Sequence, residues 1–389
     1  MSDMCNYMNV VLREIRRIYA HPRHVIAAVL SIAFAYVFFL TLMQDGQPQR
    51  LPIAIVDQDG TFLSRRLCHE INATQGVEVT QVYNSHSEAR KAMQRQEIYA
   101  FLEIPAGTYR DVLSFKSPHI CLYANNAYLL SGTLSYKSLM TICNLASGAV
   151  QREVLRKKGY DEDKIMALIM PIEIDAHLIG NPMANYQSYL LTTILPGILG
   201  LVCLLLTVYV IGIELREGTA RAWLRAAGGN MFVAIMGKLS PYALYFLLIQ
   251  MLGNIVLFGF LHFPLEGSFL VLALGSLLFV LAMMSFGIFA FGLLLDLRNA
   301  VCISAFYGIL GFSLSGFTYP VSGMSPALQA ISVIFPLRQN YLIYTNEAIF
   351  GLPFSHVVPH LLVLMLFIGL PLAVNHRIKQ RILSNETTA

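Results

Sequence analysis

Residues 214–229, ELREGTARAWLRAAGG, place charged and amphipathic side chains in a short connection between two long apolar runs. Gly218 interrupts the preceding run, and Thr219 is a favourable helix N-cap. The spacing predicts a helix over 219–227 that a glycine pair ends. Its apolar stripe at i, i+3, i+4 and i+7 consists of Ala220, Trp223, Leu224 and Ala227.

Trp223 and Leu224 form an apolar knob on this predicted helix, and Arg221 and Arg225 lie on another face. Tryptophan and arginine are frequent hot-spot residues of protein interfaces. Burying the knob in a partner's groove would contribute roughly 3–5 kcal/mol at about 25 cal/mol per Å². Alternatively, Trp223 anchors in the lipid headgroup layer, as interfacial tryptophans often do. The residues alone leave both interpretations open.

The chain lacks a nucleotide-binding loop of the Gly-x-x-x-x-Gly-Lys-Ser/Thr type. Gly237-Lys238 has neither the upstream glycine nor the following hydroxyl residue, so any ATP must be bound by another chain. The interiors of the apolar runs also lack the acids and lysines that mark proton relays. The sequence therefore predicts a protein that is not an enzyme and holds no cofactor, and it disfavours a proton-coupled transporter.

Two groups of side chains have partial metal-ligand spacing. Glu173, Asp175 and His177 share one face of a predicted strand, which alternation alone produces. His356 and His360 are spaced i, i+4 but have no third ligand, so interfacial histidines are the simpler interpretation. We expect no metal site.

Two polar pairs in or beside the apolar runs are expected to be structural. Gln250 and Asn254 lie within one run, where interhelical hydrogen bonds are the usual role of amides. Asp296 and Arg298 lie at a turn, where a solvated ion pair is expected.

The composition indicates a membrane protein. Of the 389 residues, 56% are hydrophobic and only 13% are charged, against about 25% charged in soluble domains. Because a membrane helix needs roughly 20 apolar residues, six segments qualify as spans. These are 25–43, 190–213, 239–261, 269–295, 300–317 and 357–375. The net charge of +4, spread along the chain, does not indicate nucleic-acid binding.

The distribution of arginine and lysine predicts the orientation. Short loops 262–268 and 318–356 hold only Arg338. The other set of segments holds Arg13, Arg16, Arg17, Arg23, Arg216, Arg221, Arg225, Lys238, Arg298, Arg377, Lys379 and Arg381. Under the positive-inside rule, both termini are cytoplasmic. No cleavable signal peptide is visible, so the first run should stay as a signal-anchor.

The N-terminal segment 1–24 is predicted to form an amphipathic helix in the membrane interface, ended by His21-Pro22. Its apolar stripe is Met4, Met8, Val11, Ile15 and Ile18. Arg13, Arg16 and Arg17 lie on other faces. A cytosolic helix packed on a partner is the alternative.

Segment 44–187 would then lie outside as a folded α/β domain. Strands are predicted at 52–57, 77–83, 99–105 and 171–179, and helices at 61–71, 87–96 and 127–158. Cys68, Cys121 and Cys143 allow at most one internal disulfide there.

Four motifs, in order on this six-span frame, resemble the type-2 ATP-binding-cassette (ABC) transporter permeases, over essentially the whole chain. Glu214-Leu215-Arg216-Glu217-Gly218-Thr219 is similar to their Glu-x-x-Glu-Gly-Thr signature. The other three are PIAIVDQDG with LSR (52–65), Asn181-Pro182 with LPGI (195–198), and SGFTYPV (315–321) with Met324 and Pro326. The sequence departs from the family by the serine between Met324 and Pro326 and by the basic continuation RAWLR.

The resemblance implies a permease subunit of an exporter. Its cytoplasmic coupling helix, within 214–229, would dock on a separate ATPase that binds ATP and magnesium. The expected coupling residues are Glu214, Glu217, Gly218, Thr219, Arg221, Trp223 and Leu224, with Arg13, Arg16 and Arg17 on the interface helix. The outer-loop motif is Ser315, Gly316, Phe317 and Pro320. Two such permeases, identical or paralogous, would pair in the cytoplasmic (inner) membrane, and some relatives with a large outer domain work with a periplasmic adaptor.

The expected fold class is an α-helical membrane protein of six transmembrane helices, with an α/β domain inserted between the first two spans. The predicted parts are 1–24, 25–43, 44–187, the five-helix region 188–376 and the tail 377–389. Substrates would be drug-like, lipid or otherwise amphipathic. The alternatives are a non-transporting membrane receptor or structural protein, and a family member that signals or extracts lipid.

Overall fold

The computed structural model describes residues 2–114, 116–172, 174–175, 177, 179–182 and 184–384. The chain divides into two compact units. One combines Met1–Gly46 with Leu178–Ala389, and the other is Gln47–His177.

The chain begins with two helices, α1 (Ser2–Ala20) and α2 (Arg23–Leu42). The break between them falls at His21-Pro22, as predicted, because the residue before a proline avoids helical geometry.

The unit Gln47–His177 is built around a small sheet. Its elements are β1 (Leu51–Asp57), α3 (Phe62–Asn72), β2 (Val77–Tyr83), α4 (His86–Gln94), β3 (Ala100–Ile104), α5 (Thr108–Leu113), β4 (Cys121–Ala124), α6 (Leu129–Lys157) and α7 (Glu162–Ile169). The strand order is β2-β1-β3-β4; β1 pairs in parallel with β2 and β3, and β4 pairs antiparallel with β3.

Both faces of β1 are covered. Ile53 and Ile55 pack with Leu139 of α6, while Ala54 and Val56 belong to a cluster on the opposite face, with α4. This two-sided burial explains why β1 reads as a continuous apolar run.

Most elements predicted for this unit are confirmed, but one strand is wrong. The described residues of 171–179 form no strand, and Ile172 and Ile174 are exposed; Glu173, Ala176 and Leu178 lie outside the described residues. Period-two alternation without a partner strand is not sufficient for pairing. The short elements β4, α5 and α7 are not predicted from the sequence.

All six cysteines lie in the described part of the chain, and each is a free thiol. Burial raises the pKa of the Cys143 thiol, and burial with the nearby Asp57 carboxylate raises that of Cys68. Because all three are free thiols, no disulfide links Cys68, Cys121 or Cys143.

The remaining elements form a helical bundle. They are α8 (Tyr186–Arg216), α9 (Ala220–Ala226), α10 (Met231–Asn254), a π-helix (Ile255–Phe260), α11 (Phe269–Leu294), α12 (Leu297–Leu314), a 3-10 turn (Val321–Gly323), α13 (Pro326–Ser332), α14 (Pro336–Tyr344), a second π-helix (Thr345–Ile349), α15 (Phe354–Ile368) and α16 (Pro371–Ser384).

Within the described residues, six helical segments are long and apolar enough to cross a membrane. They are Arg23–Leu42, Tyr186–Arg216, Met231–Phe260, Phe269–Leu294, Leu297–Leu314 and Phe354–Ser384. Each coincides with a predicted span, but several extend further. The third begins at Met231, eight residues before the prediction, so Lys238 lies inside a helix and not in a loop.

The centre of the bundle is the contact between α8 and α11. Both helices are largely buried, whereas the other spans expose much of their apolar surface. A Cβ on Gly200 would lie 2.6 Å from Cζ of Phe279, so glycine allows this close approach.

Candidate functional site

Helix α1 packs against α10 along one face. Val10 and Glu14 are buried on that face, and Val10 Cβ lies 2.9 Å from where a Cβ on Gly237 would be. Met4 and Met8 of the predicted apolar stripe are exposed. The helix therefore contacts the bundle through a partly charged face and leaves part of its apolar stripe open.

Glu214, near the end of α8, is the centre of a buried charge cluster. Its side chain is 0% exposed. Arg13 donates to both carboxylate oxygens, each at 2.9 Å, in the two-pronged geometry that suits guanidinium and carboxylate. Lys238 Nζ donates to Oε1 at 2.8 Å, and Thr219 Oγ1 donates to Oε2 at 2.5 Å. Glu214 thus receives donors from three different segments.

Lys238 forms the second half of the cluster, from α10. Its Nζ also donates to Oε2 of Glu14 at 2.5 Å, and the Tyr242 hydroxyl donates to Oε1 of Glu14 at 2.8 Å. The side chains of Lys238 and Glu14 are 0% and 2% exposed. Lys238 Nζ lies 5.5 Å from the Trp223 ring centroid, within cation–π range. Lys238, which the sequence places in a loop, is therefore a buried cation within a helix.

Arg17 connects the cluster to the segment after α8. It donates to Glu214 and to Glu217, and its Nη1 lies 3.4 Å from Thr219 Oγ1. Thr219 occupies the N-cap position of α9, as predicted, but its side chain caps no backbone N–H. The hydroxyl binds Glu214 instead. Arg16 is exposed and lies on another face of α1.

The charge cluster comprises Arg13, Glu14, Arg17, Glu214, Glu217, Thr219, Lys238 and Tyr242. Three cations face three carboxylates, and buried charges are stable only when paired in this way. Burial lowers the pKa of Arg13, but the hydrogen bond and charge of Glu214 outweigh that effect and raise it above the usual value. The cluster fixes α1, α8, α10 and the connection between the last two against one another.

Trp223 and Leu224 do not form an exposed knob. Their residues are 0% and 5% exposed, and the indole Nε1 donates to the carbonyl oxygen of Ala234 at 3.0 Å. Ala227 is also buried. The predicted apolar stripe of α9 is confirmed, but it packs on the chain's own bundle, so the Trp223 side chain is not exposed to a partner or to lipid as expected.

The surface that this connection leaves open is small and charged. Its exposed residues, termed the connection face, are Arg216, Glu217, Gly218, Ala222, Arg225 and Gly228. Gly218 has φ +71°, and a Cβ there would meet nothing within 4 Å. Arg221 is half-buried and has a partner of its own.

The SGFTYP motif forms a folded loop after α12. The Ser315 hydroxyl donates to the carbonyl oxygen of Phe312 at 2.8 Å, and Gly316 has φ +103°. Phe317 is 5% exposed, and its carbonyl accepts a hydrogen bond from the Tyr189 hydroxyl. Pro320 is exposed and precedes the 3-10 turn. The motif therefore ties the end of α12 to the start of α8.

Gln250 and Asn254 line a cavity of about 20 Å³ within the bundle. Asn254 Nδ2 donates to Oγ of Ser276 on α11 at 2.9 Å, which confirms the predicted interhelical bond. Gln250 donates to Asn254 at 3.3 Å, and its own Oε1 has no partner in the described part of the chain. The cavity has room for about one water molecule.

Among the described residues, no group of three or more potential ligands could hold a metal ion. His360 Nδ1 lies 2.9 Å from Oε1 of Gln339, and His177 pairs with Asp175 at 3.1 Å on the surface; Glu173 lies outside the described residues. Asp296 accepts from the backbone N–H of Asn299 at 2.9 Å, so it caps α12.

Glu14 and Tyr242 are cluster residues that the sequence does not predict, and Lys238 lies in a helix where the sequence predicts a loop. The available signal was spacing: Glu14 follows buried Val10 by four residues on α1, and Tyr242 follows Lys238 by four on α10. Identifying the partners required knowing that the two helices pack together.

The chain belongs to the ABC-2 transporter family, whose model (ABC-2 family transporter protein) matches residues 25–375. Two curated relatives are each 23% identical over 368 residues, which covers 92% of this chain and 93% of theirs. Both are named "Probable multidrug ABC transporter permease YbhS", one from Escherichia coli strain K12 and one from Escherichia coli O157:H7. The chain is thus a multi-pass membrane permease of the ABC-2 type, a family that in general pairs with an ABC ATPase and dimerises.

Proposed function

We propose that this chain is the transmembrane subunit of an ABC exporter and that a separate ATPase docks on the connection face. Three observations support the proposal: family membership, six apolar helices and the charge cluster. The cluster carries most weight, because it holds the signature segment after α8 against α1 and α10 through buried ion pairs.

In this mechanism the partner ATPase binds and hydrolyses ATP with magnesium. Its movement pushes on the exposed residues Arg216 and Arg225 and on Glu217, the exposed member of the cluster. Arg17 and Thr219 connect this surface to Glu214, and Glu214 is held by Arg13 and Lys238 on other helices. The push is therefore transmitted to α1, α8 and α10 together.

The proposed orientation places both termini and the connection face in the cytoplasm, in the inner membrane. The unit Gln47–His177 then lies outside, where a periplasmic adaptor would meet it. A second permease, identical or paralogous, completes the membrane part, and α1 contacts lipid through Met4 and Met8. The relatives' description as probable multidrug permeases supports an amphipathic, drug-like substrate.

Copurification tests this proposal. The tagged wild-type chain is purified from its native membranes in mild detergent, alongside a variant combining Arg216→Glu with Arg225→Glu. An interface arginine can contribute about 2 kcal/mol to binding. The amount of ATPase that copurifies with the variant should therefore be at least tenfold lower than with the wild-type chain. Arg90→Glu, an exposed change in the other unit, is the matched control and should retain the wild-type amount.

A stoichiometric ABC ATPase with wild-type and control, but not with the double variant, supports the docking role. Recovery of the wild-type chain alone under several gentle conditions would favour the alternative, a membrane receptor or structural protein without an ATPase.

A further inference from the structure

Arg338, in the first turn of α14, is a half-buried cation that has no acidic partner among the residues that the structure describes. Its Nη1 donates to the carbonyl oxygen of Ser315 at 3.3 Å. No carboxylate lies within 4.0 Å of its guanidinium in the described part of the chain. The first turn of α14 also contains no acid that would offset the charge. Since one N–H of the guanidinium has an acceptor in the described ranges, the other four remain there for another acceptor.

The surroundings of Arg338 hold the guanidinium in place without neutralising it. A Cβ on Gly316 would lie 3.2 Å from Nη1 and 3.8 Å from Cε1 of Tyr341, so this glycine leaves the room that the side chain occupies. Burial lowers the pKa of Arg338, which shows that its environment disfavours an unpaired charge. An anion placed here would be favoured for the same reason.

The chain near Arg338 has the features of a membrane interface. Tyr189 and Tyr341 lie beside the same loop, and aromatic belts at headgroup level are typical of membrane proteins. The segment just before α14 exposes Ile331, Val333 and Ile334. A cation that follows these exposed apolar side chains within seven positions along the chain matches a molecule with an anionic head and apolar chains.

We propose that Arg338 binds the phosphate of an anionic phospholipid, with its acyl chains against the exposed apolar residues before α14. Guanidinium donates two parallel hydrogen bonds to phosphate, which an ammonium cannot do. A free phosphate offers the same headgroup chemistry but gains nothing from the apolar residues. The outer-loop motif then has a second role, since Ser315 and Gly316 position the arginine.

Native mass spectrometry of the purified permease tests the site. Phosphatidylglycerol and phosphatidylcholine of equal chain length are added to wild-type, Arg338→Gln, Arg338→Lys and Arg298→Gln proteins. Arg298 is the matched control, because it is an exposed arginine in the first turn of α12. Wild-type and control should prefer phosphatidylglycerol, and Arg338→Gln should lose about fivefold of that affinity. Arg338→Lys should keep part of that affinity, because lysine keeps the positive charge but cannot donate two parallel hydrogen bonds to the phosphate.

Equal retention of phosphatidylglycerol by wild-type and Arg338→Gln would overturn the proposal, as would equal retention of the two lipids by wild-type. Displacement of the lipid by millimolar inorganic phosphate would overturn the lipid assignment and leave only a site for small anions. If Arg338→Gln does not fold, the decision rests on Arg338→Lys and on the wild-type lipid preference.

Discussion

Replacing Lys238 by methionine tests the energetics of the charge cluster. The substitution keeps the length of the side chain and leaves Glu14 and Glu214 buried without their shared cation. Glu214 keeps Arg13 and Arg17, but Glu14 keeps only the Tyr242 hydroxyl. Removing one partner of a buried pair costs about 3–5 kcal/mol, so we expect a loss of that size in the free energy of unfolding.

The assay uses the chain's single tryptophan, Trp223, whose ring lies 5.5 Å from Lys238 Nζ. The purified protein in dodecyl maltoside is titrated with sodium dodecyl sulfate, and unfolding is followed by tryptophan fluorescence. Arg16→Gln, an exposed change on α1, is the control and should stay within about 0.5 kcal/mol of wild type. Adding Glu14→Gln to Lys238→Met should cost less than the sum of the single changes, because the two groups are coupled.

Unfolding of Lys238→Met at the same detergent fraction as the Arg16→Gln control would refute the reasoning. It would mean that the buried ion pairs do not hold α1 and α10 together.

Three further predictions concern stability and reactivity. Trp223→Ala should destabilise the permease by about 3–5 kcal/mol, because it empties a fully buried site, and should reduce the folded yield on size-exclusion chromatography even without an ATPase. Gly200→Ala should destabilise by about 1–3 kcal/mol, because its Cβ would lie 2.6 Å from Phe279, whereas Gly311→Ala, with 3.4 Å to Phe335, should melt near wild type. Cys121, which is exposed, should react with iodoacetamide faster than Cys143, whose thiol pKa is raised by burial; equal rates by mass spectrometry would contradict this.

The spans and most of the outer unit could be predicted because their signals are local. Six long apolar runs define six helices, and the apolar runs of β1 and β3 define buried strands. Span ends were less accurate: α10 begins at Met231, because the apolar residues 231–236 before Lys238 belong to the same helix. Strand β4, which is not predicted, has only four residues and lies at the edge of the sheet. None of its side chains is fully buried, so its sequence shows no clear apolar pattern.

The candidate site could be predicted only in part. The stripe Ala220, Trp223 and Leu224 was visible from spacing, but a stripe does not show whether it packs on a partner or on its own chain. The sequence predicts Arg13 and Arg17 as interface residues, yet their structural partners, Glu214 and Glu217, lie about 200 positions away. Contacts of that separation depend on helix packing, which periodicity within one segment cannot show.

Site-specific photo-crosslinking tests the central claim most directly. A benzophenone side chain replaces Ala222, which is exposed at the middle of the connection face, or Arg90 in the other unit as a control. In intact cells, ultraviolet light should crosslink the position 222 variant to an ABC ATPase and leave the position 90 variant without that product. An ATPase captured from position 90 and not from position 222 would contradict the account.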